Sequence, residues 1–365
     1  MRIGILTHYD VNNQGAQLQM YAMYKKLEEL GHEAVILTYI KNYDFDKEKN
    51  LKYQVSIKSI PYIIKHYLLD NGVNAFIRNY KKYKLNVNFR KKNMKFENYD
   101  TANIDMAIVG SDEVFSIPMG INKMMYGHGV NTDKMISYAP SFGQTDISLI
   151  EERDCKEVIY SGLSKFVDIS ARDEHTFRLI EQLIEKTPTM VCDPAILYDF
   201  SELKIKCSKI PRQKYMVVYA YDHNLIDENE IKVIREYAKR NNLITVSPGT
   251  YHKWCDKNIS CNILEWLEIF KNAECVVTDT FHGTITASIT NKELAVFIRN
   301  KLNANKMKDL SEKLGITDRI LNKFTDEEID RIFSKKVDFN KVNSNINSLR
   351  KIGDNYLKTA IEKCQ

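Results

Sequence analysis

The chain has 365 residues, 44% hydrophobic and 28% charged, with a formal charge of +5. That composition is ordinary for a soluble globular protein, and the length is comfortable for two cores. So mild a charge gives no argument for nucleic acid, and no RNP string, zinc-finger spacing or basic heptad region is present.

The chain opens with a strand, Ile3–Leu6, where a secretory leader would need a charged and then a long apolar region. Apolar residues then recur at helical spacing through Leu18, Tyr21, Ala22, Leu27 and Leu30, and Gly31 suits a C-cap. Ala34–Tyr39 is a second strand, which makes a βαβ unit and predicts a doubly wound parallel sheet. Residues 42–100 are dense in Lys, Asn and Tyr and read as a helical insertion. Its plain reading is a solvated face. The functional one is a basic lid or a contact with a membrane-bound acceptor. The apolar stretch Ile60–Leu69 is too short and too polar to span a bilayer.

The sheet resumes at Met106–Val109 and continues through Met135–Tyr138 and Phe166–Ser170, with a helix from Asp173 to Ile184. Asp193-Pro194 reads as a turn, and the polar stretch Ser201–Lys214 as a domain junction. A second α/β series follows: strand Tyr215–Tyr219, helix Asp227–Arg240, strand Leu243–Val246 and helix Ile263–Lys271. Cys275–Val277 leads into Thr278-Asp279-Thr280-Phe281-His282-Gly283-Thr284, and Leu294–Phe297 is the next strand. From about Asn303 the chain is mostly helical. The expected layout is an N-terminal α/β domain over 1–205, a second over 206–340 and a terminal helix over 341–365.

Seven cysteines carry no CxxC pair and no zinc-ligand spacing. Reduced thiols in a cytoplasm are the simplest reading, with no structural metal expected.

The loops after the strands hold the candidate chemistry. An apolar strand that stops before His282 and Gly283 leaves helix N–H groups facing outward, which suits an anion. The imidazole beside them can move a proton near neutral pH, or it can simply cap the helix. Gly283 permits close approach of a ligand and Thr284 can donate to it, unless both only start the helix. Arg172 offers a fork for carboxylate or phosphate, or a salt bridge to Asp173 or Glu174. Asn12, Asn13, Gln14 and Gly15 form the first strand-to-helix loop, where carboxamides suit sugar hydroxyls or cap the helix. Ser111 and Asp112 follow the Met106–Val109 strand, with Asp112 a general base or a cap. His8 ends the first strand and is a further candidate for the cleft. His252 and Trp254 can stack on a sugar or pack.

Six segments stand in order: Asn12–Gln19, Val109–Phe115, Ser137–Gly143, Ser170–Glu174, Cys192–Pro194 and Asp279–Gly283. In sequence and order they resemble the motifs of the polysaccharide pyruvyl transferase family over almost the whole chain. The resemblance implies two Rossmann-like domains in a GT-B-like arrangement. It implies transfer of a pyruvyl group from phosphoenolpyruvate to two hydroxyls of a free or lipid-linked saccharide, forming a ketal for cell-surface polysaccharide without a cofactor. His282 and Asp112 would be catalytic. Arg172, Gly283, Thr284, Arg299 and Lys301 would hold the donor, and Asn12, Asn13, Gln14, Gly15 and Ser111 the acceptor. The protein would work in the cytoplasm, with peripheral contact at the inner membrane face a further expectation.

One departure is plain. Many members carry an arginine where this chain has Thr280. A missing cation there must be supplied by Arg299, Lys301 or Lys306, or else the donor or activity has changed. The alternatives are a GT-B nucleotide-sugar glycosyltransferase, for which no nucleotide fingerprint is found, and a saccharide-binding relative without catalysis.

Overall fold

The structure is a computed structural model that describes residues 1–40, 72–119, 123–221, 223–299 and 301–365. Two parallel sheets carry it. The strands of the first are β1 (Arg2–Leu6), β2 (Glu33–Thr38), β3 (Phe96–Asn98), β4 (Met106–Val109) and β5 (Met135–Ser137), in the order β3-β2-β1-β4-β5. A small pair, β6 (Ser170–Ala171) and β7 (Thr189–Met190), follows. The second sheet holds β8 (Tyr215–Tyr219), β9 (Ile244–Pro248), β10 (Lys257–Ile259), β11 (Cys275–Thr278), β12 (Glu293–Phe297) and β13 (Ile320–Leu321), ordered β10-β9-β8-β11-β12-β13. Both are doubly wound. In each, the chain order reverses beside the first strand, between β1 and β4 and between β8 and β11. Ligands bind outside the carboxyl ends of strands at such a point.

The central strands are apolar on both faces because helices cover both. Ile3, Ile5, Val217 and Val276 join a core shared with Leu18, Trp266, Phe270 and Ile285 between the two sheets. Separate clusters back the outer faces, around Val35, Val109 and Phe142 in one domain and Val218, Val277 and Phe297 in the other. The last helix, Phe339–Glu362, returns to the first domain. There Tyr356 donates to the Ser137 carbonyl at 2.8 Å and Asp354 pairs with Lys26 at 2.7 Å.

Several expectations need correction. The 42–100 region is not wholly a helical insertion: Gly72–Asn93 is a helix, but Phe96–Asn98 adds the edge strand β3, and residues 41–71 lie outside those described. The run Phe166–Ser170 does not extend the first sheet. It touches β5 through one bridge, Ile136 to Asp168, and only its end becomes β6. The edge strands β10 and β13 were not expected; at three and two residues they are too short to show a period. Six of the seven cysteines are buried, as small core side chains. Among the described residues, no helix is long and apolar enough to cross a membrane.

Candidate active site

The loops at both switch points meet across one cleft of about 430 Å³. His8 and Asn13 come from the end of β1, and Asp112 and Glu113 from the end of β4. Tyr221, His223 and Asn224 follow β8, Asp279, Phe281 and His282 follow β11, and Arg299 follows β12. Two helix N-termini also reach it, Gln14–Glu29 from the first domain and Phe281–Ile289 from the second. Each brings the positive end of its dipole to the same space.

His282 sits in the first turn of its helix and is nearly buried. Its Nε2 lies 3.6 Å from Asp193 Oδ2. The geometry behind that carboxylate explains its charge. Arg172 donates to Asp193 Oδ2 at 2.9 Å, Ser111 Oγ approaches the same oxygen at 3.2 Å, and the Ala195 backbone N–H donates to Oδ1 at 2.9 Å. Burial pushes the Asp193 carboxyl up, but His282, Arg172 and the Ala195 N–H more than reverse it, and it stays well below the usual range. Arg172 also reaches Asp112 at 3.4 Å and stacks over the Phe281 ring, 4.5 Å from its centroid. Asp112 itself is in the left-handed region at φ 73°, a conformation Asp tolerates better than most residues. Burial raises its carboxyl as well, and Arg172, with His282 and His8, brings it below the ordinary value.

The remaining cations are paired. Arg299 meets Glu230 with both Nη atoms at 2.6 Å, and Lys306 meets Glu113 at 2.8 Å. Both line the cleft beside His282. Thus Arg172, Arg299, Lys306, Asp112, Asn13 and His282 are brought together, and His8 joins them with Nε2 3.2 Å from the Glu113 carbonyl.

Other candidates have different work. Asn13 is also the helix cap, accepting from Ala16 N at 3.1 Å. Gly15 supports the histidine, since a Cβ there would overlap the His282 side chain. Asn12 turns to the Gly72–Asn93 helix and donates to Asn79 O at 3.1 Å. Gln14 is not an acceptor contact: it is buried and bonded across the domains to Cys261 O at 2.5 Å, while Asn86 donates to its Oε1 at 2.8 Å. Ser111 is buried and holds Asp193 and the Ala139 carbonyl. Thr284 is buried, and its hydroxyl donates to Thr280 O at 3.0 Å. Gly283 is close-packed under Thr278 and Thr280, so its lack of a side chain serves the helix start. The side chain of Lys301 lies outside the described residues. His252 and Trp254 pack inside the second domain, on the carbonyls of Ala220 and Leu225.

Sequence reading missed Asp193 as a site residue, taking Asp-Pro for a turn. It also passed over Asp279, Asn224 and Glu113. The available signal was position, since all but Asp193 end or follow strands at the switch points.

The family model for polysaccharide pyruvyl transferase matches residues 13–300. The chain belongs to the polysaccharide pyruvyl transferase family. No functionally curated sequence matches this member of the family. Its fold is shared by UGT89C1 of Arabidopsis thaliana complexed with UDP-L-rhamnose, at TM-score 0.55 and 10% identity over 100% of this chain and 99% of that one. It is shared too by the UDP-GlcNAc 2-epimerase of Neisseria meningitidis bound to UDP-GlcNAc, at 0.51 and 10% over 99% and 100%. The S. aureus MnaA–UDP structure gives 0.51 and 12% over 99% and 95%. At these identities the likeness is one of fold, and it gives this pyruvyl transferase relative the GT-B-like arrangement.

Proposed function

We propose that the protein transfers a pyruvyl group from phosphoenolpyruvate to two hydroxyls of a saccharide, giving a pyruvate ketal of a cell-surface polysaccharide. One observation carries this beyond the family. A protonatable imidazole, two helix N-termini and three cationic side chains line a single cleft. A donor bearing both phosphate and carboxylate needs such a set. Lys306 and Arg299 would meet the anions by exchanging their carboxylate partners for the donor. His282 would protonate the enol methylene, with Asp193 Oδ2 standing 3.6 Å behind its Nε2. The donor would sit on the second-domain side (206–340) and the saccharide on the first-domain side (1–205), so closure would exclude water. This chemistry calls for no redox cofactor. A cytoplasmic location, with a lipid-linked acceptor met at the membrane face, completes the reading.

The nucleotide-bound neighbours favour one alternative, nucleotide-sugar transfer on the same fold. Thermal shift separates the two, because a ligand that binds the native state raises its melting temperature. Phosphoenolpyruvate should raise it and UDP-sugars should not. Mass spectrometry of saccharides incubated with phosphoenolpyruvate and the protein then detects the ketal. A shift with UDP-sugars alone, and no ketal, overturns the proposal.

A further inference from the structure

Asp279 stands at the carboxyl end of β11 and lines the cleft with His282. Its Oδ2 accepts from the side-chain amide of Asn224, which lines the cleft too. Its Oδ1 is shielded from bulk water and has no hydrogen-bond partner among the described residues. A shielded carboxylate oxygen without a donor is costly, and a ligand hydroxyl would satisfy it.

The other carboxylates are engaged. Asp193 is fully buried behind Arg172 and His282. Asp112 is paired with Arg172 and held below the ordinary range, which makes it a weak proton acceptor. Glu113 is paired with Lys306.

We infer that Asp279 is the proton acceptor for the saccharide hydroxyl that attacks the donor, and that Asn224 is its positioning residue. The inference rests on the pyruvyl-transfer reading and moves the base from Asp112 to the opposite wall.

The step balances as follows. The donor's C=C electrons take a proton from the His282 imidazolium, so the methylene becomes methyl and the central carbon turns electrophilic. The hydroxyl oxygen bonds to that carbon as its proton passes to Asp279 Oδ1. The C–O bond to phosphate breaks and phosphate leaves with the electron pair. The second hydroxyl then closes the ring and its proton goes to the phosphate. The proton on Asp279 returns through solvent to His282, so neither side chain is consumed.

Burial pushes the Asp279 carboxyl up to about 6, against the opposing pull of the Asn224 amide and Arg299. That makes it a stronger base than an ordinary aspartate near ~3.9, yet still largely ionised at neutral pH. The charged and titratable groups facing it are Arg299 from beyond β12 and Tyr221 from beyond β8, with His223 in the same lining.

The test measures phosphate release from phosphoenolpyruvate with a panel of methyl glycosides carrying 1,2- and 1,3-diols, across pH, alongside melting temperature. Asp279→Asn should lower kcat roughly 10²–10⁴-fold with little change in donor affinity or melting temperature. It should also remove the acid limb of the rate profile. Asn224→Ala, which takes away a donor to the carboxylate, should shift that limb to higher pH while activity persists. Wild-type turnover with an unchanged profile in both variants overturns the role of Asp279 and leaves the reading intact. No phosphate release by the wild-type protein with any glycoside overturns the reading and this inference together.

Discussion

The backbone of Gly15 lies so close to His282 that a Cβ at position 15 would stand 2.3 Å from both Cβ and Cγ of the histidine. Glycine in a helix costs about 0.5–1 kcal/mol relative to alanine, so its place in the first turn of Gln14–Glu29 needs a reason. The contact supplies one: the first domain's helix is the wall that sets the imidazole of the second.

Gly15→Ala should therefore do harm despite its better helix propensity. The overlap falls on the histidine's root, not on a flexible end, so ring or helix must shift. The expected loss is about 1–3 kcal/mol of stability, typical of overpacking, together with reduced turnover per folded molecule. Thermal melts and phosphate-release assays on one preparation check both. Unchanged values in both would show that the two elements do not touch in solution.

His282→Asn keeps a polar side chain of similar size but removes the acid. Turnover should drop by roughly 10²–10⁴-fold while donor affinity changes far less. A histidine that merely packs gives the reverse, a lower melting point with near-normal turnover.

How much of this was legible follows from the range of each interaction. The β1–helix–β2 unit and the β8 and β11 strands show themselves because one face or both is apolar at the right period. The two-residue strand β13 shows nothing, because pairing with β12 is decided far along the chain. Asp193 is the instructive case. Asp-Pro reads locally as a turn, and the structure makes it a helix start, with Oδ1 capping the short helix Pro194–Leu197. The other oxygen meets Arg172, Ser111 and His282, none of them near it in sequence. Gln14 fails in the opposite sense: a carboxamide in a ligand-binding loop reads as a sugar contact until Cys261 and Asn86 close on it. Asp279 stands inside a sequence motif, but that one of its oxygens lacks a partner depends on the fold, which brings Asn224 to the other.

Thr280 occupies the position of the family's arginine, and its hydroxyl accepts from Gly283 N at 2.9 Å as the cap of the His282 helix. Thr280→Ala should cost about 0.5–2 kcal/mol, the usual worth of a cap. The KM for phosphoenolpyruvate should hold, because the buried hydroxyl is engaged with Gly283 and Thr278. A large rise in KM at unchanged stability would instead put Thr280 in contact with the donor.

Asp193→Asn probes the buried charge pair. Asparagine can still cap Pro194–Leu197, but Arg172 loses its 2.9 Å partner, which should cost about 3–5 kcal/mol at neutral pH. The pH dependence has a definite sign. The folded carboxyl is held below its ordinary value, so its contribution is complete above the unfolded pKa near ~3.9 and disappears as pH falls toward the lower folded value. The wild type should therefore lose stability steeply below about pH 4, while Asp193→Asn, starting lower, loses less over the same interval. Urea midpoints at neutral and acid pH measure the difference between the two proteins. That difference should shrink as pH falls, and a difference that stays constant would mean that the Asp193 charge does not stabilise the fold.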